Sequence, residues 1–200
     1  MKLINSGFQF KQDFAQIISD IIQPLLVTIP IFIIVNYSTT SGINFFILTL
    51  LCLIFATFLP FTAILMWIKR KNLDLDVSDK NERGFPLFFG VISYLIGVIM
   101  LYAIGAPAVA TVLMFCYFSS TLLTIIITYF WKISVHSMGI AGPTAAMIYI
   151  FGYPGLIFGF PLLMVMWSRI HLNHHTLSQV VVGAFAGFLF TWAQFNILIA

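Results

Sequence analysis

The chain has 200 residues, of which 61% are hydrophobic and only 8% are charged, and its mean hydropathy is +1.07. A soluble globular domain carries about 25% charged residues, so this composition excludes a soluble protein and predicts one all-α, polytopic membrane domain over residues 1–200. The formal net charge of +3 says little by itself, but the positions of the charges say more.

The first part of the chain predicts a polar lead followed by two spans. We expect an interfacial helix over residues 1–13. This stretch lacks a short apolar core followed by a cleavage site, so no removable signal peptide is expected. A span needs about 20 apolar residues, which predicts the first span at 14–35. It is interrupted by Asp20, Pro24 and Pro30, and Asp20 is expected near an interface. An uncharged turn leads to the second span at 43–68, which ends at the basic residues 69–71.

The rest of the chain alternates further spans with polar segments. The polar loop 69–85 holds four of the six acidic and five of the nine basic residues. Further spans are predicted at 86–104, 108–130, 137–153, 154–167 and 177–199, the third and fourth forming a short hairpin rich in Gly and Pro. The pattern therefore predicts a bundle of six or seven spans. Cys52 and Cys116 lie in apolar runs and are expected to be small buried hydrophobic residues.

Counting spans places three polar segments, residues 69–85, 132–136 and 168–179, on one face of the membrane. All nine Lys and Arg residues lie on that face, and the opposite loops carry none. The positive-inside rule then places the charged face in the cytoplasm of a cell (inner) membrane. Because ionisable groups near hydrocarbon usually mark a site, we expect the three segments to form one site.

The three segments contribute the side chains that phosphoryl transfer requires. The planar fork of arginine matches phosphate oxygens. One histidine can attack phosphorus while a second protonates the leaving oxygen. The transition state needs positioning and charge stabilisation on the equatorial oxygens. The residues available for these tasks are Lys80, Arg83, Ser134, His136, Arg169 and His175.

The last polar segment resembles the third motif of the type 2 phosphatidic acid phosphatase superfamily, which are integral membrane lipid phosphatases. That motif reads Ser-Arg, five residues, His, three residues, Asp. Here Ser168-Arg169 is followed after five residues by His175 and after three more by Gln179. The resemblance as a whole covers roughly residues 45–199.

The other two polar segments resemble the first and second motifs of the same superfamily. Ser134-Val135-His136 is similar to the Ser-Gly-His of the second motif, and residues 80–86 are similar to the first motif, usually Lys, six residues, Arg-Pro. Val135 replaces the glycine. Arg83 is separated from the proline by two residues, and Asp76 occupies the position seven before it, so Lys80 substitutes for the expected lysine.

The resemblance implies a role for each of these positions. His175 would be the nucleophile that forms a phosphohistidine, and His136 would be the general acid for the leaving oxygen. Ser134 would donate a hydrogen bond. The phosphate oxygens would be held by Arg169, Arg83 and Lys80, with Lys132 as a rival to Lys80. No metal, cofactor or nucleic-acid partner is expected; the partners are a lipid phosphate and the bilayer.

Gln179 stands where the superfamily has the aspartate that orients the nucleophile. One helical turn separates it from His175, so its oxygen can accept the Nδ1 hydrogen and leave Nε2 free. An amide cannot offset the imidazolium charge as a carboxylate would, and if it presents its NH₂ it selects the wrong tautomer. In serine proteases the corresponding Asp-to-Asn change costs about 10⁴ in rate.

The run His-Thr-x-Ser-Gln is also similar to the third motif of dolichyl diphosphate phosphatases, which are active with Gln at this position. A polyprenyl diphosphate or monophosphate is therefore the first expected substrate, and phosphatidic acid or phosphatidylglycerol phosphate comes next. The alternative is a non-enzyme that binds anionic lipid headgroups or a membrane partner. A transporter is disfavoured because the two halves show no matching pair of broken helices.

Several features also have purely structural interpretations. The spacing of His171 and His175 fits a metal pair, although no acidic residue lies nearby to complete it. The alternation of Lys80 and Arg83 with acidic residues fits a solvated, salt-bridged loop. Gly183 and Gly187 form a small-xxx-small pattern, which predicts close helix packing.

Overall fold

In the computed structural model, the chain is described over residues 2–73 and 82–199, with side chains from Gln9 onward. All regular structure in these ranges is helical, which confirms the all-α prediction. The helices are α1 Lys2–Ile21, α2 Pro24–Thr39, α3 Gly42–Leu53, α4 Leu59–Lys71, α5 Gly84–Ala103, α6 Ala108–Phe130, α7 Val135–Phe151, α8 Gly159–His171 and α9 Leu177–Leu198. A π-helical turn, Ile54–Phe58, joins α3 to α4, and a 3₁₀ turn, Tyr153–Phe158, precedes α8.

The helices identify a multi-pass membrane protein. Within the described ranges, five helical segments are long and apolar enough to cross a membrane: Gly42–Lys71, Gly84–Ala103, Ala108–Phe130, Tyr153–His171 and Leu177–Leu198. The bent pair α1 and α2 becomes a sixth if it counts as one span. The segment predicted at 137–153 is helical as α7, but its 17 residues fall short of the about 20 that a perpendicular span needs.

The first predicted span, 14–35, is divided into two helices at Pro24, one of the residues expected to interrupt it. Helix α1 ends at Ile21, α2 begins at Pro24, and the two axes differ in direction by 51°. A proline disfavours the helical conformation of the residue before it, and Gln23 is extended, with φ −78° and ψ 136°. The proline then occupies the first position of α2, where its missing N–H costs nothing.

Helix α7 packs against α9 through glycines that allow the two backbones to touch. A Cβ atom added at Gly187 would lie 2.3 Å from the Met138 carbonyl oxygen, and one at Gly183 would lie 2.9 Å from that of Ser134. The close packing predicted from the glycine spacing is therefore present. It holds the N-terminal ends of α7 and α9 side by side, and each end carries one of the two predicted catalytic histidines.

We predict that Gly187→Ala destabilises the protein, because the new methyl group forces apart backbones that cannot yield. Overpacking of this kind costs about 1–3 kcal/mol. The measurement is the thermal unfolding midpoint in detergent, with Gly159→Ala as the matched control, because a Cβ at Gly159 meets nothing within 4 Å. Equal midpoints for the two variants would contradict the prediction.

The main apolar core lies towards the end of the bundle opposite the predicted site. It joins α2, α3, α5, α6, α7 and α9 around Phe32, Leu113, Met114 and Phe195. Cys52 and Cys116 belong to this core, and both are free and buried, as predicted. Near the charged end the helices separate, and an internal cavity opens between them.

Candidate active site

Three of the predicted site residues line one cavity. Arg83 precedes α5, His136 lies in the first turn of α7, and His175 precedes α9, yet all three side chains contribute to the same wall. Each is more than nine-tenths buried. The cavity has a volume of about 150 Å³ and continues from these residues between α2, α5, α6, α7 and α9. The structure therefore brings together polar segments that lie up to about 90 residues apart.

The five-residue spacing between Arg169 and His175 follows from how α8 ends. Asn173 adopts a left-handed conformation, with φ 57°, which asparagine tolerates better than most residues. The His174 N–H donates to the Arg169 carbonyl at 3.1 Å, and the Asn173 N–H donates to that of Ile170 at 3.0 Å. These are the two bonds of a Schellman motif. The turn reverses the chain and brings His175 back towards Arg169.

The three-residue spacing between His175 and Gln179 follows from how α9 begins. Thr176 is the N-cap, and its hydroxyl accepts from the Gln179 N–H at 3.4 Å. In return, Gln179 Oε1 accepts from the Thr176 N–H at 3.2 Å. These reciprocal bonds form a capping box. The glutamine is thus held by its own helix end, directly beside the histidine.

The capping box determines which nitrogen of His175 carries the hydrogen. The His175 Nδ1 atom lies 3.0 Å from Gln179 Oε1, the same atom that faces the Thr176 N–H. A backbone N–H can only donate, so this amide atom must be the oxygen and Nδ1 must carry the hydrogen. In the neutral ring, Nε2 is then unprotonated. The tautomer required of a nucleophile is therefore selected without a carboxylate.

Several effects combine to keep His175 neutral. Burial is the largest cause, followed by the Arg83 guanidinium; together with smaller contributions from Arg169 and Lys132, and against the opposing hydrogen bond with Gln179, they lower the pKa of His175 to about 3. The imidazole is therefore uncharged across the physiological pH range. The same observation indicates that the site has a positive potential, since three cations act on one ring.

Helix ends add to this potential. The N-termini of α5, α7 and α9 all begin at the cavity, through Arg83, His136 and His175 respectively. The N-terminal end of a helix carries a partial positive charge and favours an anion. Arg83 is held in the cavity wall, where its Nη1 atom donates to the Ile133 carbonyl at 3.4 Å.

Ser134 connects the second and third segments. Its hydroxyl caps α7 by accepting from the Ser137 N–H at 3.3 Å, and its own N–H donates to the Gln179 carbonyl at 3.3 Å. Ser134 is fully buried. It therefore supports His136 and Gln179 from behind the cavity wall, and its donation to a phosphate stays a prediction. Ser137, whose hydroxyl also bonds Ser134 at 3.0 Å, was not found by sequence reasoning.

The remaining predicted cations take different positions. Arg169 is fully buried beneath the end of α8, with its Nη1 atom 2.7 Å from Ser19 Oγ. Lys132 is partly exposed beside a shallow polar depression that His175 and Gln179 also line. Lys80 lies outside the described residues.

The helical spacing suggested for a His171–His175 metal pair is not present. Helix α8 ends at His171, and the imidazole stacks on the Trp167 ring with 5.1 Å between centroids. Over the described ranges, no three His, Cys, Asp or Glu side chains lie close enough to hold a metal ion together.

Gln179→Glu tests the electrostatics of His175, the nucleophile that the resemblance implies. A carboxylate beside His175 favours the charged imidazolium and raises the pKa of His175. As the pH is lowered, the ring of the variant therefore becomes protonated at a higher pH than the ring of the unmodified protein. We expect the acid limb of kcat/KM to move to higher pH. Gln9→Glu, which adds the same charge on an exposed position of α1, should leave the profile unchanged; an unmoved limb in Gln179→Glu would contradict the assignment.

No protein-family model, curated protein or solved structure matches the chain.

Proposed function

We propose that the protein is an integral membrane lipid phosphatase that hydrolyses a lipid phosphate or diphosphate through a phosphohistidine, as the resemblance to the type 2 phosphatidic acid phosphatases implies. One observation carries the proposal. A buried, neutral histidine with an unprotonated Nε2 faces the same cavity as a second histidine and an arginine. A neutral nucleophile in a positive field suits attack on a phosphate dianion.

The reaction follows from the positions of the two histidines. His175 Nε2 attacks phosphorus and forms a P–N bond while the bond to the leaving lipid oxygen breaks. His136 gives its proton to that oxygen. Water then attacks the phosphohistidine, with His136 accepting the proton, and inorganic phosphate and free His175 result. Arg83, which lines the cavity, stabilises the charge on the equatorial oxygens throughout, and the resemblance implies the same role for Arg169.

The cavity also suits the hydrophobic part of such a substrate. Its lining on α6 runs from Leu113 to Thr124, which corresponds to about 16 Å along the helix axis. Below Arg83 and the two histidines, the described lining consists of apolar side chains and uncharged polar groups. A chain that enters sideways from the bilayer would thus extend away from the reacting phosphate. The third motif favours a polyprenyl diphosphate, followed by phosphatidic acid or phosphatidylglycerol phosphate.

Filling the inner end of the cavity should discriminate between substrates by chain length. In Leu113→Trp, we expect KM for a long-chain substrate to rise at least about tenfold, as pocket contacts of this kind are worth 10- to 200-fold, while a short-chain phosphate is hydrolysed normally. Leu122→Trp, on the exposed side of the same helix, is the control. Equal losses with both substrates would place the tail elsewhere.

The function is tested by measuring phosphate release from the purified protein in detergent. The substrates are a polyprenyl diphosphate, phosphatidic acid and phosphatidylglycerol phosphate, with a chelator present. Release that survives chelation and disappears in His175→Ala supports the proposal. Saturable lipid-phosphate binding without release would instead favour a headgroup-binding protein in which Gln179 has replaced the catalytic carboxylate.

We also propose that the site faces the cytoplasm of the cell membrane, because Lys69, Arg70 and Lys71 end α4 at its end of the bundle. Single cysteines at positions 71 and 38 test this with a membrane-impermeant thiol reagent. Position 71 ends α4 beside the site, and position 38 lies near the opposite end of the bundle. Labelling of position 38 only after the cells are opened would reverse the orientation.

A further inference from the structure

From Gln9 to Ile21, where its side chains are described, helix α1 presents three different faces. One is an exposed apolar stripe, at helical spacing, of Phe10, Phe14, Ile17 and Ile21. The second is buried against α8 and contains Ala15, Ile18 and Ser19. The third is polar and includes Gln12, Gln16 and Asp20, the last two joined by a hydrogen bond of 2.9 Å. An apolar stripe opposite a polar face is typical of a helix that lies in the plane of a membrane interface.

The apolar stripe continues the lipid-facing surface of the bundle. The Phe14 ring packs beside Trp167 of α8, with 6.2 Å between centroids, and Trp167 is itself partly exposed. Tryptophan is enriched at the boundary between lipid and water. The 51° bend after α1 then turns the chain from this surface into the bundle. The occupant of the stripe is therefore the headgroup and acyl boundary of the bilayer.

The buried face of α1 contacts the third motif directly. The Ser168 hydroxyl donates to the Ala15 carbonyl at 2.8 Å, and Arg169 Nη1 donates to Ser19 Oγ at 2.7 Å. Ser19 and Arg169 are both 0% exposed. A guanidinium binds phosphate well only when its planar fork is held in one orientation. The contact between Arg169 and Ser19 therefore joins the third motif to α1, a helix that contains none of the three motifs.

We infer that α1 is an interfacial helix that completes the phosphate site, with Ser19 as a positioning residue for Arg169. The inference rests on the proposed function, because it needs Arg169 to act on a phosphate. Ser19 acts through Arg169 and does not touch the substrate. A phosphate group on a lipid and free inorganic phosphate share this chemistry, so binding of the free anion reports the orientation of Arg169 without any turnover.

The test is equilibrium binding of inorganic phosphate to the full-length protein in detergent. We expect Ser19→Ala to bind about tenfold more weakly, as a lost hydrogen bond to a charged group allows, and Ser19→Thr to recover most of the affinity. Gln16→Ala, which removes a hydrogen bond from the polar face of the same helix, should bind normally. A double-mutant cycle gives the decisive readout: in an Arg169→Ala background, Ser19→Ala should have no further effect.

The outcomes distinguish a failure of this inference from a failure of the proposed function. Normal binding by Ser19→Ala, an equal loss in Gln16→Ala, or additive losses in the cycle would overturn the positioning role and leave the phosphatase proposal standing. No phosphate binding by the unmodified protein would overturn both, whereas binding by the unmodified protein with no lipid hydrolysis would overturn the phosphatase alone.

The interfacial placement has its own measurement. Spin labels on Phe14→Cys and Gln12→Cys should differ in accessibility. The first should be relaxed mainly by oxygen dissolved in lipid and the second mainly by a water-soluble nickel complex. The native cysteines are both buried and serve as the unlabelled background. Equal access of the nickel complex to both labels would place α1 away from the bilayer.

Discussion

His175→Ala is expected to abolish phosphate release, with kcat falling by about four orders of magnitude or more. Removal of a covalent nucleophile leaves only the rate enhancement due to binding and charge stabilisation. The measurement is single-turnover phosphate release, combined with trapping of an acid-labile phosphoprotein that forms only when His175 is present. His136→Ala should lose about 10² to 10⁴, the range for a general acid.

The control for both histidine variants is His174→Ala. His174 is adjacent to His175 but does not line the internal cavity; it lines the polar depression beside it. It should retain most of the activity. Full activity in His175→Ala or in His136→Ala, with the fold intact, would refute the mechanism, whereas equal losses in all three variants would point to a disturbed loop.

Arg83→Ala is expected to lower kcat/KM by about 10³-fold or more. An arginine that stabilises the charge in a phosphoryl-transfer transition state raises kcat by about 10³ to 10⁵. Arg83 is a buried cation that lines the cavity. A second effect follows from the same contact. Because Arg83 lowers the pKa of His175, its removal should raise that pKa and move the acid limb of kcat/KM to higher pH.

Arg70→Ala serves as the matched variant for Arg83. Arg70 lies in the last turn of α4 on the same face of the membrane and is exposed, so its removal takes away the same charge without touching the cavity. Kinetics should be nearly unchanged. If Arg70→Ala lost as much activity as Arg83→Ala, a general attraction of anionic lipid to the basic face would explain the effect, and a specific phosphate contact would not.

Local signals in the sequence predicted the spans that they could determine. The bounds predicted at 108–130 coincide with Ala108–Phe130, and the last span at 177–199 differs from Leu177–Leu198 by one residue. Long apolar runs bounded by Pro, Gly or charged residues are sufficient for this, because helices in lipid must satisfy their own backbone groups. The break in the first span is also a local effect, because it occurs at Pro24, one of the residues expected to interrupt the run.

The spacing in the third motif could also be recognised from the sequence, although its physical basis could not. The distances Arg169–His175 and His175–Gln179 reflect one helix that ends in a Schellman motif and another that begins with a capping box. Asn173 and Thr176 are suitable residues for these two positions. The sequence left open whether Gln179 presents its oxygen or its NH₂, and the capping box decides this.

The sequence by itself determined that the chain is an all-α membrane protein, because the length of its hydrophobic runs can be read along the chain. Counting the spans also predicted that the three polar segments share one face. Only the tertiary structure decided that Arg83, His136 and His175 line one cavity, that His175 is neutral, and that Arg169 bonds Ser19, a residue 150 positions away. Burial and proximity depend on how helices pack, and an individual residue carries no local signal of its distant neighbours.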